Sequence, residues 1–214
     1  MKTLISTTLM IAMFATLAFS QNNTQTEKGS VKGTVPYHKF SVNTTFGTLT
    51  NFESEETNLQ HYEFHFGYKI TPKDKIGIKI ATWKLFEPMG IPMWDPLFRK
   101  ESEWYPGRLR EIGIGVTYQR LLWKGLFATA EIFPLYKTYL DEEKKEIGNG
   151  FKLYTTWHLG YHIPLFKNRF FIEPQVHCNY WPIDTKTPQS FKEKDDKWNN
   201  YFLFEPNLYI GFKF

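Results

Sequence analysis

The groups in this 214-residue chain able to do acid–base or metal chemistry are six histidines and a scatter of carboxylates and lysines. His61, Glu63 and His65 alternate along the chain, and His158 and His162 stand four apart. Alternate residues of an extended strand share one face, so each set would point the same way. Zinc wants its ligands about 2 Å away in a tetrahedron. Positions i and i+4 of a strand are roughly 13 Å apart, so neither histidine pair can chelate alone. The simpler reading is an interior network of His, Glu and Lys with no metal and no cofactor. Glu111, Glu131, Glu173 and Glu205 fall on the same kind of face, with Lys39, Lys69, Lys79, Lys137, Lys152 and Lys213 available as partners. Buried charges are costly unless paired. The expected arrangement is therefore an ion-pair plug drawn from Glu63, His65, Lys79, Glu111, Glu131, His158, Glu173, His177 and Glu205, and no residue is assigned a catalytic role.

The elements that must carry these residues show a period of two. Phe202, Phe204, Leu208, Ile210, Phe212 and Phe214 alternate with Tyr201, Glu205, Asn207, Tyr209 and Lys213. The same alternation recurs at Phe170–Trp181, Lys152–His162, Glu111–Gln119, Ile76–Ala81, His61–Ile70 and, more weakly, Phe40–Gly47. It predicts eight strands, at about 37–50, 58–71, 75–87, 108–122, 126–140, 151–163, 169–182 and 201–214. Links at 71–75, 122–126 and 164–169 are tight, while those at 51–57, 88–107, 141–150 and 183–200 are longer and mostly polar. That rhythm matches an up-and-down barrel with short periplasmic turns and long outer loops. Pro134, Pro174 and Pro206 fall inside these strands, where proline removes a ladder donor, so bulges are expected there.

Composition narrows the class. Aromatics at 18% exclude disorder for the bulk of the chain. A single cysteine excludes a disulfide framework and multi-Cys metal sites. A net charge of +4 without basic clustering gives no nucleic-acid footprint. Lys2, the apolar run Leu4–Leu17 and the small residues Ala18 and Ser20 read as an export signal over 1–20. A polar lead-in at 21–36 and a barrel domain at 37–214 follow. Charges of both signs mid-strand beside glycine suit a narrow filled interior, and Tyr68, Trp123, Phe170, Trp181, Tyr201, Phe202 and Phe212 sit near strand ends as a membrane girdle would. The apolar face is therefore expected to point outward.

The C-terminal run Tyr209-Ile210-Gly211-Phe212-Lys213-Phe214 resembles the terminal strand signal of Gram-negative outer-membrane β-barrels. In that family the final Phe and the aromatics two residues apart are read by the barrel-insertion machinery, which implies this role for Tyr209, Ile210, Phe212 and Phe214. The mature chain resembles small barrels of the OmpA/OmpX/OmpW kind in architecture. The resemblance implies an all-β, eight-stranded antiparallel up-and-down transmembrane barrel in the cell outer membrane, with outer-membrane lipid and lipopolysaccharide as surroundings. Barrels of this size include lipid A deacylases and acylases. A deacylase would need a His-x-Ser pair, and none of the six histidines has serine two residues on. The loop 88–107 carries Trp94, Phe98, Trp104 and Tyr105, either as a contact surface or as a cap over the barrel mouth. The functional expectation is a non-enzymatic structural, surface-interaction or small-ligand role. A lipid-modifying barrel enzyme is the alternative, and a secreted lipocalin-like carrier a third.

Overall fold

The computed structural model describes residues 38–52 and 59–214. The export signal and the lead-in lie outside the described residues. The strands are β1 (Phe40–Thr45), β2 (Gln60–Lys69), β3 (Asp74–Leu85), β4 (Arg108–Trp123), β5 (Leu126–Leu140), β6 (Glu146–Tyr161), β7 (Ile163–Leu165), β8 (Phe170–Asp184) and β9 (Tyr201–Lys213). β6 and β7 are one stave broken at His162, since both pair with β8. Each stave is antiparallel to its sequence neighbour, and β1 pairs with β9 to close the ring. The result is a closed eight-stave meander, as the alternation predicts.

The wall is inside-out relative to a water-soluble barrel. Ile76, Ile78 and Ile80 of β3 and Ile112, Ile114 and Val116 of β4 are all exposed, Ile114 by 62%. The residues between them face inward, and Lys79 and Glu111 are buried to 5% and 1%. The interior has two parts. Trp83, Leu109, Phe133, Tyr139, Tyr154 and Trp181 form an aromatic core toward the long-loop end, and the middle is polar. Gly115 makes room on the inner face: a Cβ there would run into the ring of Phe133 and the carbonyl of Ile132.

Several expectations need correction. The link expected at 141–150 is short, because β6 begins at Glu146. β1 stops at Thr45, where a 3-10 helix, Phe46–Phe52, takes over. Pro134 and Pro174 stay in register without bulges. Pro174 pairs with Leu208, and Pro134 pairs with Leu153 on one side while the ladder to β4 skips Ile114 and Gly115. The bulge near Pro206 sits at Phe204, whose φ is +59°, opposite Cys178. It reverses the phase, so Phe202 turns inward against Trp181, with ring centroids 6.0 Å apart. Trp181 is buried too, which removes both residues from the expected girdle.

The short β1 leaves the outer halves of β2 and β9 without a shared strand. Side chains of β1 and the 3-10 helix stand in for the missing ladder. Asn51 Nδ2 donates to the carbonyl of His61 at 2.6 Å, and His61 N donates to Asn51 Oδ1 at 2.7 Å. Thr44 Oγ1 donates to the Glu63 carbonyl at 2.5 Å, and Thr45 Oγ1 to Asn207 Oδ1 at 2.6 Å. At the other end the seam is closed by the last residue. Phe40 N donates to the Phe214 carbonyl and Phe214 N to the Phe40 carbonyl, both at 3.0 Å. The two rings stack at 5.9 Å.

Removing Phe214 therefore costs two backbone hydrogen bonds and a ring pair, about 2–3 kcal/mol together. Equilibrium urea unfolding of the refolded barrel should report that loss. Lys186→Ser in the outer loop should leave the midpoint where it was.

Candidate functional site

Three layers of polar groups fill the lumen, and the pleat decides which residues contribute. In the middle layer Lys79 of β3 reaches across the barrel. Its Nζ lies 3.0 Å from Glu131 Oε2 of β5 and 3.1 Å from Glu63 Oε2 of β2. Glu63 is held from three further directions: His65 Nε2 at 2.6 Å, His61 Nε2 at 3.1 Å, and the Tyr209 hydroxyl, which donates to it. Glu131 Oε1 has His158 Nε2 at 3.4 Å and His65 Nδ1 at 3.8 Å. Two carboxylates thus share one ammonium, and ring N–H and phenolic donors supply the remaining stabilisation. Attraction at such distances in a water-poor interior offsets the cost of dehydrating these ions, while both ring nitrogens of the buried His158 lack a hydrogen bond among the described residues.

The layer toward the long loops is built on Lys152, 2.7 Å from Glu111 Oε1 and 3.6 Å from Asp184 Oδ2. Trp83 Nε1 donates to Glu111 Oε2 at 2.5 Å. Lys137 bonds Asp184 and the Tyr139 hydroxyl. The layer toward the short turns holds Glu173, whose Oε1 accepts from His162 Nδ1 at 2.8 Å. Lys213 Nζ donates to His162 Nε2 at 2.7 Å and to Asn168 Oδ1 at 2.6 Å. With its Nε2 accepting, His162 is a neutral imidazole carrying its proton on Nδ1. His177 lies across the ladder from His158, with ring centres 5.3 Å apart, and pairs with Glu205 at 2.5 Å.

Glu63, Lys79, Glu111, Glu131, His158 and Glu173 are buried, His65, His177 and Glu205 are half-buried, and the nine do not form one network. Glu63, His65, Lys79, Glu131 and His158 meet in the middle. Glu111 and Glu173 belong to the layers either side, and His177 and Glu205 form their own pair. Among the terminal residues, Tyr209 is a lumen side chain, 4% exposed, while Ile210 and Phe214 are exposed on the outer wall. Sequence reading missed Asp184, because a register shift opposite Leu153–Thr155 carries β8 past Trp181 and turns that carboxylate inward. Lys75 is a second omission, although its place two residues before Gly77 on the inward face was a usable signal.

The outer mouth is closed by the loop 86–107 and the helix Gln189–Asp195. Phe191 plugs the centre, 4.7 Å from the Tyr105 ring and 4.9 Å from that of Tyr139. Tyr105 is 6% exposed and its hydroxyl donates to Asp195 Oδ1 at 2.5 Å, so it belongs to the cap and not to a contact surface. Burial, with Asp195 beside it, pushes the Tyr105 hydroxyl well above its usual range. Burial likewise raises the Asp195 carboxyl. Trp94, Phe98 and Trp104 line a cleft of about 220 Å³ between this loop, Leu59 before β2 and Phe202–Leu203 of β9. Glu87 forms part of its wall; burial raises its carboxyl, and its Oε2 accepts from Arg99 N at 2.8 Å. Trp94 is 68% exposed at the rim.

Meander topology, closure and an apolar outer wall make this a barrel of the outer-membrane kind in architecture. No protein-family model matches the chain, and no curated protein does. Among solved structures, the crystal structure of Neisserial surface protein A (NspA) is similar with a TM-score of 0.42 and 10% identity, over 82% of this chain and 94% of that chain.

Lys79→Met should leave Glu63 and Glu131 facing each other without their shared cation, at a cost of about 3–5 kcal/mol in unfolding free energy. Adding Glu131→Gln removes one of the stranded charges. The double variant should unfold at higher urea than Lys79→Met alone.

Proposed function

We propose that this chain is a small outer-membrane barrel with a lumen closed to ions, and that its outer cleft holds an apolar chain such as the acyl tail of an outer-leaflet lipid. The observation that carries the membrane reading is the inverted wall. Isoleucines ring the outside of β3 and β4 while Glu63, Lys79, Glu111, Glu131 and Glu173 are buried within. Water would penalise that arrangement, and hydrocarbon suits it. It argues against a lipocalin-like carrier, whose apolar face would point inward. The cleft supports the surface role: its walls are largely aromatic and aliphatic, it opens where β1 ends early, and the exposed Trp94, Met93 and Leu97 extend its apolar character outward. The lumen carboxylates are engaged by Lys79, Lys152 and His162, which favours a structural part for them over proton handling or lipid chemistry.

Cell fractionation tests the location. The protein should pellet with outer membranes and need detergent for release, and recovery in the soluble periplasm or medium overturns the reading. Ile114→Arg should cost roughly 2–4 kcal/mol in bilayers, as a charge on a lipid-facing mid-strand position does. Planar bilayers should show no steady conductance, because an eight-strand interior is just wide enough for its side chains to fill. For the cleft, a brominated fatty acid should quench tryptophan fluorescence saturably. Trp104→Ala should weaken that binding about tenfold, near 1.4 kcal/mol.

A further inference from the structure

The short-turn end of the lumen differs from the rest in its charge balance. In the other layers each buried lysine has a carboxylate within reach: Lys79 has two, Lys152 has Glu111, and Lys137 has Asp184. At the short-turn end a cavity of about 70 Å³ has Lys39, Lys73, Lys75 and Lys213 in its lining, and among the described residues the carboxylates that line it are those of Asp74 and Glu173. Asp74 is already taken, bonded by Arg120 Nη1 at 2.7 Å, the Tyr118 hydroxyl at 2.7 Å and Thr71 Oγ1 at 2.5 Å. Glu173 accepts from His162.

Lys213 is the informative residue. It is 4% exposed, and the partners of its ammonium are neutral, the Asn168 amide and the His162 imidazole. Among the described residues no carboxylate lies within 4 Å of Lys213 Nζ or of Lys75 Nζ. Both instead sit over the Phe171 ring, at 5.4 and 5.9 Å from its centre. The buried Lys213 and the half-buried Lys75 share one nearby carboxylate, Glu173, which His162 already engages, and the two ammoniums over one ring repel each other. An anion in the cavity would relieve both costs. One water needs about 10–15 Å³ of such space, so this cavity has room for a small tetrahedral oxyanion. Ser41 and Gln119 line it as neutral hydrogen-bonding groups.

We propose that the short-turn mouth of the barrel is a binding site for a phosphate group, held chiefly by Lys75 and Lys213. Free phosphate in the compartment below the membrane and the headgroup of an inner-leaflet phospholipid share this chemistry. The inference needs the closed barrel only, and it stands or falls separately from the outer cleft.

The test uses the full barrel folded in maltoside micelles, which carry no phosphate. Orthophosphate is titrated by calorimetry and thermal unfolding at ionic strength held constant with potassium chloride. Saturable one-to-one binding and a raised unfolding temperature are expected. Lys75→Gln, and Lys75→Gln combined with Lys213→Gln, should weaken binding about tenfold or more. Lys213→Arg should retain binding, and Lys186→Gln at the opposite end should change nothing. Heat-shifted electrophoretic mobility shows which variants are folded, and Lys75→Gln keeps the buried lysine in place should the double variant fail. A second arm adds phosphatidylglycerol to the micelles. Displacement of bound orthophosphate by the lipid assigns the site to headgroups, and persistence assigns it to the free ion; either supports a phosphate site. A phosphate response equal to that of chloride, or one unchanged in folded Lys75→Gln, overturns the proposal.

Discussion

The structure depends on one constraint: a closed wall of eight staves leaves its inward side chains no bulk water, so every inward charge must find its partner inside. Lys79 between Glu63 and Glu131 meets that constraint in the middle layer. Its alkyl stem also matters, since the ammonium must cross from β3 to β5 and passes over the Phe133 ring, 5.2 Å from its centre. Gly115 opposite lets that ring lie flat enough to allow the reach. Charge pairing, ring packing and glycine placement are therefore one problem, because each occupies the volume the others require. Uniform hydrophobic filling would be easier to stabilise, but the interior apolar residues of this sequence gather toward the long-loop end and leave the middle polar.

The second organising feature is the unequal height of that wall. β4, β5 and β6 have 16, 15 and 16 residues, and β1 has six. A strand crosses a bilayer in about 9–11 residues, so the tall side carries an excess beyond the apolar belt. That excess supplies the aromatic shelf of Tyr139, Leu109 and Trp181 on which Phe191 and Tyr105 close the mouth. The low side cannot contribute to the shelf. There the 3-10 helix after β1 and the amide of Asn51 satisfy the exposed ladder edge, and the cleft lined by Phe202 and Trp104 opens above it.

Period-two alternation was legible in sequence, and with it the stave number, the meander and the inward face of mid-β3 and mid-β4, Lys79 and Glu111 included. Pairing within the lumen was not. Which glutamate meets which lysine depends on the stagger of staves far apart in sequence, such as β2, β3 and β5, and alternation carries no information about stagger. The misreadings cluster where a strand changes phase. Phe202 and Asp184 both lie beyond register irregularities in β8 and β9, and a one-residue slip turns every following side chain to the other face. Phe204 marks such a slip by its left-handed backbone, a conformation its residue type gives no hint of. Proline was a poor guide, because Pro174 faces outward on a register that is otherwise intact.

The middle layer also separates the two mouths chemically. Glu63, Glu131 and Lys79 occupy the lumen cross-section, and each has partners on at least two other staves. Moving one would strand another in low dielectric, which makes this layer a poor gate. The aromatic mouth and the lysine-rich mouth therefore lie at opposite ends of the lumen with the ion-pair layer between them. A barrel of this size offers its surroundings two end faces and one lipid-facing wall, and the chemistry that distinguishes this chain resides at the ends.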